Sequence, residues 1–224
     1  ALALVATFGG ALADNACQLP SDAADYTVVT KGDATIGAHS IYKGLAIGGE
    51  LIDGSPNQSA TVDKTISHIN NIGPQTKFNF NGGLVTGSSS VADNMQGRLE
   101  YLAKNAKSSS SGGYKVIVKN SGGTFNTYDF RNGGQGEDNG KTLVVFNTSD
   151  DITLTKTSDG RQFGPTIIAP WSRVTVRGDA GFVDGSIYCN TLVTTGGNQG
   201  QLQLHGDTYH GPIECAESTP IPTE

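Results

Sequence analysis

The densest polar cluster in the chain is His205-Gly206-Asp207-Thr208-Tyr209-His210. Two histidines and an aspartate are metal-ligand types. An i, i+5 spacing sends the two histidines to opposite faces of a straight strand. The run therefore reads as a polar strand end, and no metal ligand is assigned. Carboxylates are the next candidates, because sugar cleavage needs two of them held about 5–9.5 Å apart. Asp150 and Asp151 are neighbours and diverge on a strand. Asp179, Asp184 and Asp207 sit near turns, where aspartate commonly bonds the local backbone. With no converging pair, no catalytic or cofactor-binding residue is assigned. The chain also contains no Gly-x-Ser-x-Gly elbow, phosphate loop or His-Glu-x-x-His motif.

Two further features suit surface recognition. Thr153, Thr155 and Thr157 have the spacing that puts side chains on one strand face. A flat threonine array is the requirement for ice binding, but it must recur on stacked strands. Only Thr175 and the pair Thr194-Thr195 offer anything similar, so the array reads as unsustained, and threonine is also simply favoured in strands. Trp171 follows Pro170 and is a candidate for stacking on a sugar ring, or for filling a core.

Short strands punctuated by glycine must position these groups. Gly164-Pro165-Thr166-Ile167-Ile168-Ala169, Gly185-Ser186-Ile187-Tyr188-Cys189 and Gly211-Pro212-Ile213-Glu214-Cys215 each pair a glycine with a short strand. They begin about 20 and about 26 residues apart. Gly44 to Gly49 and Gly83 to Gly87 repeat the unit earlier. Such a period predicts stacked turns that bury a shared core, because one turn cannot bury its own apolar side chains. The expected fold is mainly β: a right-handed parallel β-helix, or β-solenoid, with one long α-helix packed along its side. Tyr26–Thr30 and Leu143–Phe146 read as strands. The helix is expected from Ser90 to Lys104, where Val91, Met95, Leu99 and Leu102 share a face. Val62, Ile66 and Ile69 have helical spacing too, so the helical insertion is expected to span about 60–107. Ser108 to Gly113 reads as a flexible loop, as does the glycine-rich stretch from Asn132.

Composition points outside the cell. Glycine contributes 31 of 224 residues and charged residues only 16%, against usual shares of roughly 7% and 25%. The net charge of −6 disfavours nucleic acid. Residues 1–13 read as a signal-peptide remnant, with Ala11 and Ala13 fitting a cleavage site; the competing reading is a buried N-terminal strand or helix. The solenoid domain is then 14–217, and 218–224 is a Pro/Thr linker or tail. No later stretch is long and apolar enough for a membrane span. Cys17, Cys189 and Cys215 allow one disulfide in any of three pairings. The leftover thiol either bridges two chains or is buried. Asn57 and Asn147 head N-glycosylation sequons.

Several of these lines together resemble the choice-of-anchor A domain family. They are Tyr26-Thr27-Val28-Val29-Thr30-Lys31-Gly32-Asp33 with Gly44-Leu45-Ala46-Ile47-Gly48-Gly49, then Ile168-Ala169-Pro170, Val174-Thr175-Val176, Gly185-Ser186-Ile187 and Gly206-Asp207-Thr208-Tyr209. The resemblance spans most of Tyr26 to Ile213 and departs from the family at Cys189, Cys215 and the sequons. It implies a secreted or cell-surface adhesive β-helix and carries over no catalytic residues. The expected function is thus structural or adhesive, by binding or self-assembly in an extracellular protein or carbohydrate matrix, as a homo-oligomer or filament. The alternatives are an ice-binding solenoid and a carbohydrate-binding or carbohydrate-cleaving one.

Overall fold

The computed structural model describes residues 17–38, 40–54, 59–126, 129–130, 140–155, 163–177, 182–194 and 202–216. The signal-peptide reading of 1–13, Asn57, Thr157, Thr195, Asp179 and the tail 218–224 lie outside these. The described chain is mainly β with one α-helix.

In chain order the first half holds β1 (Tyr26–Thr30), β2 (Ala34–Ile36), β3 (Ser40–Ile41), β4 (Gly44–Asp53), β5 (Ala60–Val62), β6 (Ser67–Ile72), β7 (Phe78–Phe80) and β8 (Leu84–Thr86). Helix α1 (Ser90–Asn105) follows. The second half holds β9 (Ser109–Ser111), β10 (Tyr114–Lys119), β11 (Gly123–Asn126), β12 (Thr142–Phe146), β13 (Ile152–Thr155), β14 (Thr166–Val176), β15 (Phe182–Val183), β16 (Ile187–Thr194) and β17 (Gln203–Leu204).

The strands pair in three rows. Row one runs β8-β6-β4-β1-β16-β14-β12-β10 and is parallel throughout until the edge strand β9, which is antiparallel to β10. Row two joins β11, β13, the second halves of β14 and β16, β2 and the second half of β4. Row three is β15-β17-β3-β5-β7. The long strands turn between rows one and two at register shifts, which lie between Ile47 and Glu50 in β4 and between Ala169 and Arg173 in β14. The first corner requires glycine: a Cβ on Gly48 would run into the Lys31 carbonyl, and one on Gly49 into the Asp33 carboxylate.

The order of the rows differs from the order of the chain. Strand β1 starts mid-stack, and the first half builds outward to β8. The chain then returns to the far edge at β9 and builds inward to β16, which pairs with β1 through Val28↔Ile187, Val29↔Tyr188 and Thr30↔Cys189. Helix α1 makes most of that return. Its 16 residues cover about 24 Å at 1.5 Å per residue, while the seven strand intervals from β8 to β10 span roughly 34 Å.

Alternation explains why row one is apolar on both faces. Val28, Leu45, Ile47, Val144, Phe146, Ile167 and Ile187 point into the core between the rows. Val29, Ala46, Leu143, Val145, Ile168 and Tyr188 point outward onto Ala92, Met95, Leu99, Leu102 and Ala103 of α1. Each fully buried valine, leucine, isoleucine, phenylalanine or methionine among these contributes about 1.5–3 kcal/mol. The Gln96 amide also donates to the Pro170 carbonyl at 3.2 Å, anchoring the helix at the corner of β14.

Three expectations need correction. Ala60 to Ile72 is not helical but forms β5 and β6. Val62 and Ile69 enter the core from separate strands, and Ile66 is 48% exposed between them. The serine run is not a loop: Ser109–Ser111 forms a hairpin with β10, closed by Gly112 and Gly113 at φ +59 and +84, which suits a two-residue turn of the type favoured in hairpins. The Gly211 line is not a further strand of the rows. It makes one antiparallel bridge, Ala106↔Cys215, at the end of α1.

That bridge sits beside the disulfide Cys17–Cys215, whose Cα atoms are 5.9 Å apart. The bond spans 198 residues, so the chain-entropy relation gives about 5 kcal/mol of stabilisation. Among the described residues no helix is long and apolar enough to cross a membrane.

Candidate functional site

Row two carries an outward column that the sequence conceals. Register aligns Thr124, Thr153, Thr175, Val193, Thr35 and Ile52 on six successive strands. Their strand neighbours Ile152, Leu154, Val174, Val176, Leu192, Ala34 and Ile36 are buried, so by alternation the column faces out. It is about 24 Å long at the usual strand spacing. Thr155, in the next position outward on β13, instead donates its hydroxyl to the Phe125 carbonyl at 3.3 Å. Thr194 drops out of the array. It is buried, and its Oγ1 accepts the Gly37 N–H at 2.5 Å.

Row three carries a different surface. At one register position lie Asp184, His205 and Tyr42, just beyond the paired residues Val183, Leu204 and Ile41. The backbone ladder continues there, His205 N donating to the Val183 carbonyl and Tyr42 N to the Leu204 carbonyl, both at 2.9 Å. Asp184 Oδ1 is 2.6 Å from His205 Nδ1, and the Asp184 side chain is only 3% exposed. Gln203 Oε1 lies 3.2 Å from His205 Nε2 and accepts from the Tyr42 hydroxyl at 3.4 Å. The Tyr42 and His205 rings meet edge-on with centroids 4.6 Å apart.

The histidine cluster of the sequence is thereby split. His205 belongs to row three, while His210 packs edge-on against Tyr114 of β10 with centroids 5.2 Å apart. Asp207 donates its N–H to the Asp184 carbonyl at 2.6 Å. No group of three or more His, Cys, Asp or Glu side chains suited to a metal ion occurs among the described residues. Asp150 is used locally: its carboxylate accepts the Gly122 N–H at 3.1 Å, and this bond together with one to Thr148 lowers its pKa.

Trp171 is half-buried at the corner of β14, packed against the helix-facing cluster, with the Lys104 ammonium 5.4 Å above its ring. Tyr42, 38% exposed, is instead the exposed aromatic side chain among the described residues. Sequence reasoning missed it, since only the pairing of β3 with β17 brings it to His205. Asn147 is exposed just after β12.

The cysteines resolve into Cys17–Cys215 and a free, buried Cys189. Cys189 and Cys215 do not stack, because the segment carrying Cys215 leaves the rows, and a buried Cys189 thiol cannot join two chains. Burial pushes this thiol well above its ordinary range, and burial also pushes Tyr188 up to about 12. The Tyr188 hydroxyl donates to the Ala23 carbonyl at 2.8 Å.

Comparison with protein-family models, with curated proteins and with solved structures finds no match.

Both raised groups are acids that ionise first in the unfolded chain, near 8.5 for cysteine and 10 for tyrosine. Their contribution is therefore complete below about pH 8.5 and is lost as pH rises towards 12. Melting temperature should hold to about pH 8 and fall steadily above it. A thiol reagent should titrate no group in the native protein and one per chain in guanidinium without reductant. A reactive native thiol would contradict the placement of Cys189.

Proposed function

We propose that this chain is a three-faced, right-handed parallel β-solenoid that acts outside the cell as an adhesive or structural domain. The observation that carries the reading is the continuous parallel register of three rows, which makes a rigid body with long, regular outward columns. Parallel crossovers are right-handed in nearly all sheets, hence the hand. The disulfide supports an oxidising compartment. The glycine-led lines and their resemblance to choice-of-anchor A domains support a surface role. Recognition then works through many weak polar contacts spread over a face, without chemical turnover.

Beads coated with the disulfide-intact protein test this on films of extracellular polysaccharide and protein matrix, with light scattering and electron microscopy of the free protein alongside. Retention severalfold above albumin-coated beads, or ordered oligomers, is the expected result. A monomer that adheres to nothing would overturn the reading.

The threonine column favours a second reading, ice binding. Thr124, Thr153, Thr175 and Thr35, with Val193 among them, put hydroxyl and methyl groups at the strand spacing on one face, a repeat on which ordered water can be held. On that reading the wild-type protein suppresses ice recrystallisation, and Thr175→Lys, mid-column, removes at least about nine-tenths of the activity. Wild-type protein no better than albumin would dismiss it.

A further inference from the structure

The adhesive reading leaves its ligand open, and row three narrows it. Beyond Tyr42 the same column continues to Asp63 and Asn81. Asp63 N donates to the Ile41 carbonyl at 2.8 Å and Asn81 N to the Val62 carbonyl at 2.9 Å, which extends the ladder one residue past β5 and β7. Asp184, His205, Tyr42, Asp63 and Asn81 thus follow one another across five strands, a strip of roughly 19 Å at the usual spacing. A second column, Gln203, Ser40, Thr61 and Asn79, runs beside it two residues back on each strand.

The two columns together are a comb of amides, hydroxyls, carboxylates and imidazole around one exposed ring. Three features make this a built surface. The buried Asp184 carboxylate fixes the His205 ring. That ring and Gln203 in turn hold Tyr42. Asn81 Nδ2 donates to Asp63 Oδ1 at 2.7 Å, orienting the carboxylate next to Tyr42. His205, Tyr42 and Asp63 are thereby held before any ligand arrives, so less ordering is left for binding to supply.

We propose that this strip binds a neutral polysaccharide, with a sugar ring stacked on Tyr42 and the chain running across the strands. The inference rests on the adhesive reading and assigns that function its surface. Tyrosine offers an apolar ring beside a polar tip, which suits the mixed C–H and hydroxyl faces of a sugar. The amide and hydroxyl teeth recur every 4.7–4.9 Å or so, giving a hydroxyl-rich polymer repeated donors and acceptors. A peptide would be expected to use an apolar pocket or an open strand edge, whereas the ring at the centre of this strip, Tyr42, follows β3, which is paired on both sides. Charge selects within the glycans. The Asp63 carboxylate lies on the strip, and the chain carries a net charge of −6, which disfavours uronate and sulfated polymers.

Depletion binding to insoluble cellulose, chitin and β-1,3-glucan, with alginate gel as the charged control, tests the proposal. Wild-type protein is expected to bind at least one neutral polymer and to leave alginate untouched. Tyr42→Ala should lower that affinity about tenfold, equivalent to about 1.4 kcal/mol, and Asp63→Asn about threefold, both with unchanged melting temperature. Thr175→Lys, on row two, should bind as wild type. Failure of wild type to bind any neutral polymer, equal binding to alginate, or full binding by both Tyr42→Ala and Asp63→Asn would overturn it. Coated beads that adhere while those variants adhere equally well would sink the strip and leave the adhesive reading standing. Beads that adhere to nothing would remove both.

Discussion

The pairing of β1 with β16, continued by β2 with β16 and by β3 with β17, holds the two halves of this protein together. Everything before α1 grows from β1 in one direction, and everything after it grows back towards β16. Without that seam each half ends in a strand with an open edge and an uncovered apolar face, a liability for any sheet. The seam also closes a loop of most of the chain, joining Thr30 to Cys189. Ordering that loop costs conformational entropy before its contacts form, and the Cys17–Cys215 disulfide removes part of the cost from the unfolded chain.

The helix follows from the same constraint. A chain that ends one half at β8 must travel the length of the stack to begin the other at β9. Row one shows apolar side chains on its outer face, and a helix laid along that face buries them during the return. Residue types follow from these positions. Leu143–Phe146 is apolar at every residue because both of its faces are covered. Ile152–Thr155 alternates because only one is. The outer faces of rows two and three are then largely uncharged, with threonine, serine, asparagine and glutamine interleaved with Val193, Ile52, Tyr42, His205 and Asp63.

Sequence made the local elements legible where one periodicity dominated. The helix from Ser90 is clear for that reason, with Met95, Leu99 and Leu102 buried as their spacing predicts, while Tyr26–Thr30 is legible from its β-branched content. It misled at Ala60 to Ile72, where two short strands and a turn happen to place apolar residues four and three apart. It was silent on strand order, since glycine-led lines look alike whichever neighbour they meet. The outward surfaces were hidden for the same reason. Thr124 and Thr35 lie in unrelated local contexts, and Tyr42 is 163 positions before His205 in the chain. Register, a long-range property, brings each pair into one column. The disulfide pairing is likewise a long-range property, because the segment after Gly211 leaves the rows and carries Cys215 to Cys17.

Function, on this account, is a property of columns rather than of a pocket, and columns exist only while the two halves remain in register. Native-state hydrogen exchange resolved by residue tests that dependence most directly. The account predicts that the amides of Val28–Thr30 exchange among the slowest in the protein, in step with those of Ile187–Cys189, through global unfolding. Exchange of the β1 amides orders of magnitude faster, with β16 still protected, would show β1 to be a frayed terminal strand and would contradict the seam on which the rest is built.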